Sequence, residues 1–298
     1  MGPFATLLLH EMRENRCPKR SRIVLKYNCR AKRSHLCQVA SSGLCKLGKG
    51  RSCLATAVVH YAAAAVTDRG RKRPSNEDAF ALSVDHGVYV VCDGMGGAAA
   101  GEVASALAVS EVMRLLERRS AEAPLPEAAV EAIRVANHAV YSRSQRNRKL
   151  SGMGTTLVML VVKERRAWML NIGDSRGYRL RHGRLEQITK DHSLVEEQIQ
   201  MGHMSRAEAA RSPLKNVITR ALGTQSQVTP DIFALEAEPG DLFLLCTDGL
   251  TRELSDSLIE SLLSVDLPLD ELCERMVAAG NRAGGHDNIT CLLVRANG

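Results

Sequence analysis

The chain of 298 residues lacks an apolar run long enough to cross a bilayer. The run from Leu54 to Val66 is mostly apolar, but its 13 residues fall short of the roughly 20 that span a membrane. The segment from Phe4 to Leu9 is too short for the core of a signal peptide, and basic residues follow it rather than precede it. We therefore expect no membrane span and a cytoplasmic location.

The sequence also lacks any Cys-x-x-Cys pair, although it has nine cysteines. An odd number argues against a disulfide framework. Zinc fingers use closer cysteine spacings than the eight-residue intervals found near the N-terminus. Five cysteines lie in that part of the chain: Cys17, Cys29, Cys37, Cys45 and Cys53. A structural zinc site or a redox cluster there is the alternative to a disordered extension, which the composition favours.

The net charge of +7 is unevenly distributed. Residues 1–60 hold 12 of the 40 Lys and Arg and 2 of the 33 Asp and Glu, so 28 basic and 31 acidic residues remain in 61–298. A protein that reads nucleic acid should carry its positive charge on the folded domain, so we expect no specific nucleic-acid binding. The charge of the tail still permits tethering to nucleic acid or anionic lipid. We predict a basic, cysteine-containing, disordered extension over 1–60 and one folded domain over 61–298.

After residue 60, short β-rich runs alternate with amphipathic helices. Strands are predicted at 87–92, 155–162, 167–172, 175–180, 185–188, 242–246 and 289–294. Apolar residues at helical spacing predict a helix pair near 103–116 and 130–140, and a second pair near 258–263 and 269–277. Helix pairs between blocks of strands indicate an α+β layered sandwich rather than a parallel doubly wound sheet.

Acidic residues stand at the ends of predicted strands in four places. Asp-Gly is a common turn sequence, so any one of these sites taken alone is better explained as a turn. Their recurrence at several strand ends indicates a carboxylate cluster, which needs cations between its members. Hard oxygen ligands favour Mg²⁺ or Mn²⁺. The four segments are Asn76-Glu77-Asp78, Asp93-Gly94-Met95-Gly96-Gly97, Thr247-Asp248-Gly249 and His286-Asp287-Asn288.

These segments and four others occur in an order that resembles the metal-dependent protein phosphatase family (type 2C, PPM), of bacterial type. The resemblance covers about residues 61–298 and implies a four-layer αββα sandwich, with two antiparallel sheets flanked by helix pairs and a flap near the active site. The other segments are Thr67-Asp68-Arg69-Gly70 with Arg73, Met153-Gly154-Thr155-Thr156, Gly173-Asp174-Ser175-Arg176 with Asp191-His192-Ser193, and Asn216 to Gly223.

The resemblance also implies the chemistry of the site: hydrolysis of phosphoserine and phosphothreonine by direct attack of a water that bridges two Mn²⁺ or Mg²⁺ ions. In the implied site, Asp93 bridges the two ions, Asp248 and Asp287 complete the coordination of one ion, and the Gly94 carbonyl binds the other. Glu77 and Asp78 contact the ions through water, and Asp174 binds a third, weaker ion. Arg73 binds the substrate phosphate. As alternatives, Asp174 caps a turn and Arg73 is an ordinary surface arginine.

Two positions depart from the family pattern. Met95 stands where many eukaryotic relatives have a histidine that can protonate the leaving group, and methionine cannot donate that proton. Ser212 stands where relatives often have histidine, which puts flap-dependent specificity in doubt. Ser193 is expected to be structural rather than nucleophilic, since a metal mechanism needs no side-chain nucleophile.

The expected partners are phosphorylated proteins, among them a Ser/Thr kinase and its substrates, and the chain is expected to be monomeric. Two alternatives stay open on the sequence alone. One is a catalytically inactive scaffold that binds phosphoproteins, and the other is a phosphatase dedicated to one regulatory partner.

Overall fold

A computed structural model describes residues 59–119, 125–209 and 211–298. The extension predicted over 1–60 lies outside these residues except for its last two, so its disorder and its boundary with the folded domain stay predictions. Among the described residues, no helix is long and apolar enough to cross a membrane.

The described residues form two β-sheets, and a pair of helices packs on each sheet. In chain order the elements are β1 (His60–Asp68), β2 (Asp78–Ser83), β3 (Val88–Met95), α1 (Ala98–Arg118), α2 (Leu125–Arg146), a 3-10 turn (Arg148–Leu150), β4 (Gly154–Thr155), β5 (Leu157–Lys163), β6 (Arg166–Ile172), β7 (Arg176–Arg181), β8 (Arg184–Gln187), α3 (Leu194–Gln200), α4 (Arg206–Ala209), β9 (Asp231–Glu236), β10 (Leu242–Cys246), α5 (Asp248–Thr251), α6 (Asp256–Leu263), α7 (Leu269–Ala283) and β11 (Ile289–Asn297).

The strands form two antiparallel sheets. The first sheet has the order β1-β11-β10-β7-β8, and the second has the order β2-β3-β5-β6-β9, with β4 paired to the end of β3. The first sheet therefore joins the N-terminal strand to the C-terminal one, in a register that runs from His60 opposite Asn297 to Asp68 opposite Ile289. This pairing places the start of β1 and the end of β11 side by side at one end of the sheet.

The two sheets pack face to face through alternate residues of their strands. In β3, Tyr89 and Val91 lie in the core between the sheets, whereas Val88, Val90 and Cys92 face the helices. Phe243 and Leu245 of β10 likewise face the other sheet. Because side chains alternate along a strand, one apolar run can supply two separate cores.

A helix pair covers the outer face of each sheet. The helices α1 and α2 pack on the second sheet, and α6 and α7 pack on the first. Ser255 caps α6 by accepting a hydrogen bond from the Leu258 N–H, and Pro268 stands immediately before α7. The predicted α+β four-layer sandwich is confirmed.

The stretch that begins at Asp191, which the family resemblance implies to be the flap, contains the short helices α3 and α4. Ser193 caps α3, since its Oγ accepts a hydrogen bond from the Glu196 N–H, which agrees with the structural role expected of it. An isolated antiparallel bridge between Ser193 and Ile218 joins the start of this segment to the chain that follows it. Met201, Leu214 and Val217 are exposed there.

Candidate active site

Asp93 and Asp78 face each other across two neighbouring strands. Asp93 is near the end of β3, Asp78 opens β2, and the two residues are direct partners in the antiparallel register. The backbone of Asp93 is held by Thr155 and Thr156: its N–H donates to Thr156 Oγ1 at 3.0 Å, and its carbonyl accepts from Thr155 Oγ1 at 2.8 Å. The predicted Gly-Thr-Thr segment therefore fixes the position of Asp93.

Gly94, the next residue, must be glycine because the backbone of α1 approaches it closely. A Cβ at this position would overlap the Gly101 carbonyl oxygen and would lie 2.7 Å from the Glu77 carbonyl oxygen. The Gly94 N–H donates to that same Glu77 carbonyl at 3.1 Å. Gly101 in turn leaves room for the Glu77 carboxylate, which a Cβ at 101 would overlap.

Asp248 and Asp287 come from the first sheet. Asp248 is the first residue of α5, directly after β10, and Asp287 precedes β11. Asn288 links Asp287 to the loop before β2, since its amide donates to the carbonyls of Arg69 and Ser75 while its Oδ1 accepts from the Glu77 N–H at 2.8 Å. The acidic residues of the two sheets are thus tied together through one side chain.

A threonine cluster joins Asp78 to the opposite sheet. Asp78 Oδ2 accepts hydrogen bonds from Thr290 at 2.6 Å and from Thr247 at 2.9 Å. Thr290 Oγ1 also lies 2.8 Å from Thr67 Oγ1. Thr247 follows β10 and directly precedes Asp248, and Thr290 lies in β11, three residues after Asp287. These bonds therefore bring the predicted ligands from both sheets to one end of the sandwich.

Asp174 follows Gly173 after β6 and is buried. The φ of 100° at Gly173 lies in the left-handed region, which favours glycine, and a Cβ there would meet the Thr156 side chain. The structure therefore places Asp174 next to the loop that positions Asp93.

Burial is the main reason that the pKa values of these acids are raised. It holds the pKa of Asp93 and that of Asp248 well above the ordinary range, and the neighbouring carboxylates add to the effect. The pKa of Asp78 rises to about 7, although its hydrogen bonds to Thr290 and Thr247 oppose the rise. Burial also raises the pKa of Asp174 and that of Glu77.

Two arginines contact these carboxylates. Arg73 Nη2 lies 2.7 Å from Asp287 Oδ2. Arg252 forms an ion pair with Asp248 and also lies 3.7 Å from Asp174 Oδ2 and 3.5 Å from Asp287 Oδ2. As the side chains stand, no group of three or more His, Cys, Asp or Glu in the described part of the chain is positioned to hold a metal ion.

The residues nevertheless fit a divalent cation by their chemistry. The donors are carboxylate and carbonyl oxygens, which Mg²⁺ and Mn²⁺ prefer. Asp78 Oδ1 and Asp248 Oδ1 are buried without a hydrogen-bond partner. A buried carboxylate oxygen without a partner is costly, and a cation satisfies it.

Sequence reasoning did not identify Arg252, Asn288 or the cluster of Thr67, Thr247 and Thr290 as parts of the site. Arg252 carried one signal, because it stands four residues after Asp248 and residues at that spacing share one face of a helix. Thr67 and Thr247 stand in segments that resemble the family, but nothing in the sequence indicated the contacts of this cluster, since 212 positions separate Thr290 from Asp78.

The chain resembles known proteins over most of its length. The model of the family described as Protein phosphatase 2C matches residues 68–293. The serine/threonine phosphatase stp of Listeria welshimeri is 38% identical over 241 residues, which cover 78% of this chain and 94% of the relative. The serine/threonine protein phosphatase PstP of Mycobacterium tuberculosis is 37% identical over 238 residues, which cover 80% of this chain and 45% of PstP.

Solved structures agree with these matches. The crystal structure of the M. tuberculosis phosphatase PstP/Ppp matches with a TM-score of 0.75 and 36% identity. The match covers 81% of this chain and 100% of the PstP/Ppp chain. The catalytic domain of PstP in complex with two manganese ions gives a TM-score of 0.73 at 36% identity over 81% of this chain and 99% of that domain.

Proposed function

Because this chain belongs to the protein phosphatase 2C family and is a metal-dependent protein serine/threonine phosphatase of bacterial type, we propose the roles of its residues in the hydrolysis of phosphoserine and phosphothreonine. The observation that carries the proposal is the convergence of strand-end carboxylates from both sheets, with two buried oxygens, Asp78 Oδ1 and Asp248 Oδ1, left without partners.

Asp93 would hold two divalent ions at once. Asp248 and Asp287 would complete the coordination of one ion, and the Gly94 carbonyl would contribute to the other. When bound, such a pair of ions lowers the pKa of a water and holds it in line with phosphorus. Two hydrogen bonds support this role, because they fix the central ligand before any ion binds: the Thr155 hydroxyl donates to the Asp93 carbonyl, and the Asp93 N–H donates to the Thr156 hydroxyl.

Asp78 and Glu77 would act as outer ligands through water. The Thr247 and Thr290 hydroxyls occupy Asp78 Oδ2, so that only Oδ1 is left to face a ligand. This division favours an indirect contact over a bidentate one. Glu77 is anchored by its backbone, which bonds to Asn288 and Gly94.

Arg73 would bind the substrate phosphate. Its side chain is 48% exposed and lies at the rim of the carboxylates. A guanidinium group can bind two phosphate oxygens in a forked geometry, and it can exchange Asp287 for the phosphate once that carboxylate turns to a cation.

Met95 offers no proton to the leaving group, so a solvent molecule would supply it. The PstP catalytic domain was solved with two manganese ions, which favours Mn²⁺ for this chain, while Mg²⁺ has the same ligand preference. A third ion would require Asp174, whose carboxylate lies near Arg252.

The test is phosphate release from a phosphothreonine peptide, measured with Mn²⁺ and with EDTA. We expect release only with metal, and a fall of at least about 100-fold in Asp93→Asn, since its lost charge holds both ions. The control is Asp85→Asn, which removes the same charge from the exposed turn between β2 and β3. Full activity of folded Asp93→Asn would contradict these assignments.

The comparisons do not favour the inactive scaffold, because the relatives are named as phosphatases. Phosphorylated proteins are therefore the substrates. That a Ser/Thr kinase supplies them, that one regulatory partner is preferred, that the chain is monomeric and that it is cytoplasmic all stay predictions.

A further inference from the structure

Arg252 places its guanidinium group among three carboxylates that come from three separate elements. It pairs with Asp248 of α5, lies 3.7 Å from Asp174 after β6, and lies 3.5 Å from Asp287 before β11. An ion pair between a solvated surface arginine and one carboxylate contributes little to stability. Contact with three acids that are otherwise mutually repelling indicates a role in the site.

The local backbone fixes this position. The Arg252 N–H donates to the Asp248 carbonyl at 2.8 Å, so the arginine ends the short helix that Asp248 begins. Its side chain then returns along the helix to the carboxylate four residues earlier. The side chain is 36% exposed, against 10% for Asp174 and 11% for Asp248. Arg252 therefore covers these two carboxylates from the solvent side.

The same nitrogen, Nη2, serves both Asp248 and Asp174. A further cation bound by these two acids would have to occupy the place that the guanidinium group holds. A guanidinium group keeps its charge at every pH that a protein survives, so the two cations would also repel each other. Arg73 differs in this respect, because the carboxylate that it pairs with is Asp287.

We propose that Arg252 is a built-in cation of this active site, which takes the position between Asp174 and Asp248 and limits the enzyme to two divalent ions. The inference rests on the proposed two-ion site. Arg252 is accordingly a positioning residue: it neutralises Asp174 and holds Asp248 toward the ions without touching the substrate.

The experiment counts Mn²⁺ ions bound per chain by equilibrium dialysis of the metal-free full-length protein, up to millimolar free Mn²⁺. We expect two ions in the wild type and in Arg252→Lys, which keeps the charge. Arg252→Gln should bind three ions, because the repulsion between the guanidinium group and the added ion is gone. The dissociation constant of the added ion should be at least about tenfold lower than that of any third ion in the wild type. The double variant Arg252→Gln with Asp174→Asn should return to two.

The control is Arg275→Gln, which removes the same charge from the exposed side of α7 and should still bind two ions. Circular dichroism checks that each variant is folded, and a wild-type count of three contradicts the proposal even if Arg252→Gln does not fold. Three ions in the wild type, or two in folded Arg252→Gln, would overturn the role of Arg252 and leave the two-ion site intact. No bound ion in the wild type would overturn the proposed function itself.

Discussion

Removal of the divalent ions should make the stability of this protein depend strongly on pH, and Asp78 shows why. The carboxyl group of Asp78 has one oxygen bonded to two threonines and one buried without a partner. Burial raises its pKa in the folded protein from 3.8 to about 7. The unfolded chain ionises near the ordinary value, so between these two pH values the unfolded state releases a proton that the metal-free folded state keeps.

The sign and the size of the effect follow from this difference. A raised folded-state pKa contributes stability that is present below pH 3.8 and is lost as the pH rises toward 7. One pKa unit corresponds to about 1.4 kcal/mol, so Asp78 alone should remove about 4 kcal/mol from the free energy of unfolding between pH 4 and 8. The pKa values of Asp93, Asp174 and Asp248 are raised as well and act in the same direction. Cations that favour the ionised carboxylates should cancel the loss.

The assay is urea unfolding between pH 4 and 8, with EDTA and with saturating Mn²⁺. In EDTA we expect stability to fall with pH, and in Mn²⁺ to stay level or rise. Asp78→Asn keeps an acceptor for the threonines and should make the EDTA profile shallower by about 4 kcal/mol, whereas the exposed Asp85→Asn should leave it unchanged. The reasoning is refuted if metal-free wild type gains stability from pH 5 to 8, or if Asp78→Asn keeps the wild-type profile.

Two further predictions concern Arg73 and Gly94. Arg73→Ala should lower kcat/KM for a phosphopeptide by about 100-fold. It should change the free energy of unfolding by less than about 1 kcal/mol, since the Arg73 side chain is half exposed. An unchanged kcat/KM would contradict phosphate binding, and Arg134→Ala on the exposed face of α2 is the control. Gly94→Ala should destabilise the protein by about 3 kcal/mol, because its Cβ would overlap Gly101. Gly202→Ala meets no neighbouring atom and should cost only about 1 kcal/mol of backbone strain. Equal melting temperatures of the two variants would show that the backbone near Gly94 can shift to accommodate a Cβ at little energetic cost.

Much of the secondary structure could be predicted from the sequence because each element has a clear pattern and a clear end. The strand predicted at 242–246 has those bounds in β10, and the helices predicted near 258–263 and 269–277 are α6 and α7, with Pro268 between them. The strands predicted at 175–180 and 185–188 correspond to β7 and β8, and the turn between them has positive φ at His182 and Gly183. Local propensity and tertiary burial agree at these places, so the pattern alone was sufficient.

The strand order and the interior of the site could not be predicted in the same way. The pairing of β1 with β11 joins the two ends of the domain, and no local pattern encodes a contact over that separation. Strand-end position indicated most of the acidic residues and the family resemblance implied their roles, whereas the hydroxyl groups that orient Asp78 belong to ordinary threonines in or next to core strands. Arg252 was missed because one arginine after a turn is typical of a solvated surface.

The threonine cluster explains how the proposed ligands can be placed accurately before any ion is bound. Thr247 Oγ1 donates to Asp78 and accepts from the Thr290 N–H at 3.0 Å, so one hydroxyl links β2 to both late strands of the other sheet. The site therefore exists only when the two sheets are packed, and the same carboxylates that the packing brings together repel each other until cations arrive. Folding and metal binding are for this reason coupled. Packing of the sheets forms a site whose carboxylates destabilise the fold, and the ions that permit hydrolysis restore the lost stability.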